Sequence, residues 1–326
     1  MRKYFLPIVI GLILVIAGGM ICNGAMREVD YDFTVLNIVQ YETDLCEVSD
    51  EFQNIIIQGG NLDVRFETSK DGKCEISFSE SVKAKHTVNV KDDTLMIKTV
   101  DGRDWYEYFG VNIIRPEVIV RLPKERYETL HIEGTNGAVT LSDALTFCNA
   151  YIRHDAGKVE SMANVEQSIE VQLGAGKLHL SNLHVGEMKL NTATASVEIE
   201  NASIDKCMDI SVTAGNTELK DISCGELKYS GNASELELER VLSKGDIRIK
   251  NTEGDVSFHE CDAKDFHVET VGGDVEGTIL TDKVFITKTV GGSVRVPDTK
   301  TGGDFEVKTV GGDIDIRIER ERGTEN

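Results

Sequence analysis

A chain of 326 residues, 40% of them hydrophobic, can bury a sizeable core, and 30 glycines beside 4 prolines and 6% aromatics favour many short strands over packed helices. The formal net charge is −21, and because Arg2 and Lys3 are the only charged residues in the first 26, the remainder carries −23. So acidic a surface repels polyphosphate, which argues against nucleic-acid binding and against a broad electrostatic hold on anionic lipid.

In chain order, Arg2 and Lys3 precede an uncharged run from Tyr4 to Cys22 that is long enough to cross a hydrocarbon core as a helix. Residues 1–25 are therefore read as a transmembrane signal anchor with its basic end inside, and the rest of the chain as an extracytoplasmic ectodomain of a single-pass cell-membrane protein. A cleaved signal peptide shares this layout and is the alternative. Residues 26–50 read as a stem.

Residues 51–128 read as an N-terminal β cap region. Ile55 to Val64 has a strand-turn-strand shape, and Glu75–Phe78, His86–Val90 and Thr94–Lys98 are expected strands, the last two a hairpin across Lys91, Asp92 and Asp93. The cap shields a sheet edge that would otherwise recruit other chains. Trp105, Tyr106, Tyr108 and Phe109 follow on an expected loop. Such a cluster suits contact with a carbohydrate or a protein, although packing of the cap onto the first coil is the plainer reading.

From residue 129 to 326 a repeat takes over. Thr270-Val271-Gly272-Gly273-Asp274, Thr289-Val290-Gly291-Gly292-Ser293 and Thr309-Val310-Gly311-Gly312-Asp313 share one cassette. Projected backwards every 19–20 residues, the turn position holds Gly312, Gly292, Gly273, Gly254, Ser234, Gly215, Ala195, Gly176, Gly157 and Gly137. Two residues beyond it run Val139, Val159, Leu178, Val197, Thr217, Leu236, Val256, Val275, Val294 and Ile314; seven before it run Leu130, Ala150, Ile169, Met188, Met208, Leu227, Ile247, Phe266, Phe285 and Phe305.

Within a coil, apolar and polar residues alternate, the period of a strand with one buried face. A unit of this length cannot bury its own apolar face, so successive coils must stack. The expected fold is all-β: a single-stranded β-solenoid of about ten coils, each stacked on the next in sequence at about 4.8 Å. The turn glycines are expected at positive φ.

Few residues suggest chemistry. Seven cysteines form no CxxC pair and no Cys/His cluster with metal-ligand spacing, so neither a metal site nor a cofactor is expected. Asp255, Asp274 and Asp313 share a column beside the turn; they either recruit a cation such as calcium or accept hydrogen bonds from their own turn backbone. Glu276, Arg295 and Asp315 alternate in sign and read as a ladder across three consecutive coils. No HExxH, GxSxG or P-loop is present, and no catalytic residue is assigned.

The apolar anchor, the opening from Ile55 to Val64, the segment from Val118 to Pro123 and the serial Thr-Val-Gly-Gly turns together resemble the bacterial LiaG-like "putative adhesin" family, a domain of unknown function. The resemblance covers nearly all of the ectodomain and implies a β-helical envelope protein with no defined catalytic set. The function expected is a non-enzymatic surface solenoid, acting as an adhesin or envelope scaffold on a cell-wall or host-surface polymer or an envelope protein. An accessory of an envelope-stress system is one alternative. A polysaccharide lyase or hydrolase is another.

Overall fold

The computed structural model describes residues 15–24, 26–27, 42–61, 63–81, 83–102 and 117–319. From Arg126 onward the chain winds as a β-solenoid in which each coil pairs in parallel with its neighbours. Thus Leu130 stands opposite Ala150 and Val139 opposite Val159, and Val197 stands opposite Thr217, which in turn faces Leu236. The two apolar columns belong to one continuous core, which other inward-facing residues such as Ile132, Ile152 and Val171 complete. Every member of the column from Val139 to Ile314 is buried except Val294, which is 45% exposed.

That exception marks a departure from stacking in sequence order. The strand Gly303–Lys308 pairs with Phe266–Glu269 on one edge and with Lys283–Lys288 on the other. Ile314–Ile318 likewise lies between Val275–Ile279 and Val294–Arg295. The last coil in sequence is therefore inserted between its two predecessors, and the coil carrying Val294 becomes the outer face of the stack. The first coil does the same. Asn54–Gln58 pairs with both Thr94–Asp101 and Arg126–Leu141, and Asp63–Thr68 with both Glu117–Leu122 and Arg126–Leu141. A terminal coil frays when only one edge is paired; here each is clamped on both.

The exposed ends are finished differently. At the N-terminal end Ala84–Lys91 runs antiparallel to Thr94–Asp101, and Glu42–Val48 runs antiparallel to Cys74–Glu80, which runs antiparallel to Glu117–Leu122. The expected hairpin is present, with Asp92 and Asp93 both at positive φ, as a turn matching strand twist requires. Glu42–Val48 lies within the stretch read as stem yet is the outermost strand of this cap. At the C-terminal end the outer coil carries Pro297 and the exposed Lys288, residue types that discourage edge-to-edge pairing.

A short helix covers 15–24, and no helix among the described residues is long and apolar enough to cross a membrane. Residues 1–14 of the expected anchor lie outside the described residues.

The cap holds a buried histidine. The His86 ring stacks on Phe78 with centroids 4.9 Å apart, its Nδ1 lies 3.2 Å from Glu80 Oε1, and its Nε2 is buried without a hydrogen-bond partner among the described residues. Burial pushes its pKa below 6.5, against the opposing pull of Glu80, whose other oxygen lies 3.5 Å from Lys85. The unfolded chain then binds more protons than the folded one just below pH 6.5, so stability is held above that value and lost as pH falls through the folded pKa. The slope of Tm against pH between about 7 and 5 is expected to be shallower in His86→Gln than in wild type. Parallel curves would contradict this.

Candidate ligand-binding groove

The glycine turn is a packing device between coils. A Cβ built on Gly157 would overlap the carbonyl oxygen of Gly137, one on Gly176 that of Gly157, and one on Gly273 that of Gly254. At the exchanged end the same collision pairs Gly312 with Gly273 and Gly292 with Gly312. Gly137, Gly157, Gly176, Gly215 and Gly254 adopt φ between 104° and 141°. Gly273, Gly292 and Gly312 do not lie at positive φ, so the expected conformational reason fails there and close approach alone explains them. Thr289 and Thr309 each accept the turn N–H three residues on at 3.1 Å, and the Thr289 hydroxyl donates to the Gly312 carbonyl of the adjacent coil at 3.1 Å.

The aspartate column works between coils as well. Asp255 Oδ1 accepts the Asp274 N–H at 2.9 Å, Asp274 Oδ1 accepts that of Asp313 at 2.8 Å, and Asp313 Oδ1 accepts that of Ser293 at 2.7 Å. These carboxylates latch the neighbouring coil's turn rather than their own. The expected charge ladder is reordered by the exchange: Glu276 stands opposite Asp315, a like charge, while Asp315 accepts from Arg295 at 2.8 Å and from Arg317 of its own strand at 3.1 Å. Arg317 and Arg295 together hold the Asp315 carboxyl below its usual range.

The opposite corner of the coil was not singled out by the sequence reading. Asn182, Asn201, Asp221, Arg240 and Glu260, spaced 19–20 residues apart, all adopt left-handed φ between 49° and 54°. Asparagine and aspartate tolerate that conformation, so the first three were legible as a turn column. Arginine and glutamate gave no such signal. The Asn201 amide donates to Asn182 Oδ1 at 2.7 Å, Asn164 Oδ1 accepts the His184 N–H at 2.8 Å, and Arg240 grips Asp221 through Nε at 2.5 Å and Nη2 at 2.8 Å. That fork lowers the Asp221 pKa and raises the Arg240 pKa.

This column floors an open groove of about 1020 Å³ that runs along the stack from Asn164 to Glu319. Its polar lining changes along the stack, from the amides of Asn164, Asn182 and Asn201 and the hydroxyls of Ser203 and Ser223, with His184 among them, to the charged Asp221, Arg240, Glu260 and Glu319. Leu242 and Leu280, 46% and 40% exposed, add apolar surface. A ligand lying along the axis meets a new set of these groups at each coil, about every 4.8 Å. The groove reaches Glu260 and Glu319, which with His259 form a group whose ligating atoms lie within 4.8 Å of one another. Elsewhere the thiols of Cys224 and Cys261 are pushed up to about 11 by burial, so neither is a ready nucleophile at neutral pH. Trp105, Tyr106, Tyr108 and Phe109 lie outside the described residues.

The sequence model of the Toastrack DUF4097 family matches residues 52–211 and again residues 206–326. The chain belongs to the Toastrack DUF4097 family. No curated protein matches it. Among solved structures, this Toastrack chain is similar to a "putative adhesin" from Parabacteroides distasonis, at 14% identity and a TM-score of 0.46, covering 86% of this chain and 98% of that one. A "putative adhesin" from Bacteroides fragilis is 12% identical, with a TM-score of 0.38 and coverage of 85% and 97%. A "putative lipid binding protein" from P. distasonis is 14% identical, with a TM-score of 0.40 and the same coverage.

Proposed function

We propose that this Toastrack protein is a non-enzymatic, LiaG-like surface solenoid, anchored in the cell membrane by its N-terminal segment, that binds an extended cell-wall or host-surface polymer along the corner groove. The observation that carries the reading is the groove's lining. On a chain of net charge −21, its stretch from Asn164 to Ser223 offers successive amides and hydroxyls from adjacent coils, and two exposed leucines follow farther along among charged residues. Neutral donors and acceptors repeated at coil spacing suit a polymer that is itself repetitive and hydroxyl-rich, because each coil adds a similar small increment. The aromatic residues Trp105 and Tyr106 serve as a second contact in this reading.

The test uses the full-length chain in lipid vesicles, sedimented with peptidoglycan, neutral wall polysaccharide or collagen. Binding to one polymer class is expected. Binding to none of them would sink the adhesin reading and leave the envelope-stress accessory in its place.

A further inference from the structure

The inserted C-terminal coil does more than close the stack. Glu319 directly follows the strand Ile314–Ile318, and its backbone N–H donates to the Ile279 carbonyl at 2.8 Å. Stacked in sequence order, the coil of residues 283–295 would occupy that place; the exchange brings in Glu319 instead. Two coils back, His259 and Glu260 stand at the last member of the left-handed corner column.

The coil between them is short at this corner. Phe258 stands opposite Gly277 but Cys261 opposite Ile279, so one residue, Thr278, faces both His259 and Glu260. Gly277 has no side chain to fill the space, and a Cβ there would overlap the Phe258 carbonyl oxygen. The result is a dip of about 310 Å³ with His259 in its wall, adjoining the end of the groove where Glu260 and Glu319 lie. Side chains from the first and third coils converge over the shortened second.

Among the described residues the three groups are also uncompensated. Among the described residues, none of their side chains makes an ion pair or a hydrogen bond, to one another or to a neighbour. Arg240 sits next to Glu260 in the corner column, yet its guanidinium turns away to Asp221 and Glu239. Elsewhere in the groove charge is matched, as in His184 with Asp205 at 3.3 Å. Two carboxylates and an imidazole whose ligating atoms all lie within 4.8 Å, with no cation engaged among the described residues, are a donor set without an acceptor among those residues.

We propose that His259, Glu260 and Glu319 bind a divalent transition-metal ion of the zinc class. One nitrogen and two carboxylate oxygens suit zinc or manganese, whereas calcium favours all-oxygen sites. Three protein ligands leave a coordination position open, as in zinc sites that also hold water or a ligand. The site stands apart from the polymer reading, since metal binding is measured without any polymer.

The experiment titrates zinc into chelator-stripped, full-length protein against a chromophoric chelator, with cobalt absorption as a second probe. Wild type is expected to take up one equivalent. Glu319→Gln and His259→Asn are expected to weaken that uptake by more than about tenfold, the loss that even the outer partners of metal ligands can cause. Zinc is also expected to raise Tm in wild type and not in Glu319→Gln, which keeps size and shape so that folding is preserved. Uptake that is undiminished in both variants, as adventitious thiol binding would give, overturns the proposal, and so does the absence of uptake by wild type.

Discussion

Phe305→Ala is expected to destabilise the C-terminal coils by about 3–5 kcal/mol, the cost of emptying a fully buried aromatic site. Phe305 stacks on Phe266 with ring centroids 4.6 Å apart, and lies 5.4 Å from Phe285 and 5.9 Å from Phe258. It is the centre of the cluster because its coil is inserted. Phe285, on the outer coil, is only partly buried, and Phe285→Ala is expected to cost about 1–2 kcal/mol. Stacking in sequence order predicts the reverse ranking, with Phe285 interior and Phe305 terminal. Urea titration of both variants, with hydrogen exchange to localise the loss, decides between the two orders. A larger loss from Phe285→Ala would contradict the exchange.

Gly157→Ala is expected to lose about 3 kcal/mol or more in the coils around it. The residue holds φ of 131°, which an L side chain adopts only under strain, and the added methyl would overlap the Gly137 carbonyl oxygen of the adjacent turn. Neither term relaxes without parting two coils. Gly60→Ala is the control: its Cβ would meet only Thr135 Oγ1 at 3.8 Å, and a change below about 1 kcal/mol is expected. Because the stability of stacked repeats is close to a sum over neighbours, the loss should appear as exchange protection lost near residues 137–176 rather than throughout the chain. Equal effects of the two alanines would refute the close-approach role of the turn.

Much of this architecture could be read from periodicity. The glycine column and the aliphatic columns fixed which residues face inward, since a strand's two faces alternate and a slip by one residue would expose every Val and Ile. Spatial order was a different matter. The cassettes at 270–274, 289–293 and 309–313 are nearly identical, so each turn accepts any of the others as a neighbour, and periodicity carries no preference between them. Exposure was the missing signal: Val294, 45% exposed, occupies a column that every other coil buries.

The corner groove was hidden for a related reason. Asn182, Asn201 and Asp221 keep the period and favour left-handed φ, but Arg240 and Glu260 continue the column with residues that do not. There the stacked backbone imposes the conformation on the side chain. Glu319 was beyond sequence reasoning altogether, because its neighbours depend on the exchange.

In the proposed function the corner groove is the binding face. Sedimentation of the full-length chain in vesicles with peptidoglycan, neutral wall polysaccharide or collagen, comparing wild type, Asn182→Ala with Asn201→Ala, and Trp105→Ala with Tyr106→Ala, tests it most directly. The asparagine double variant is expected to lose at least about tenfold in affinity while staying folded, as removal of several repeated contacts should give. Unchanged affinity in that variant, with loss confined to the aromatic one, would contradict the groove and place the contact on the loop instead.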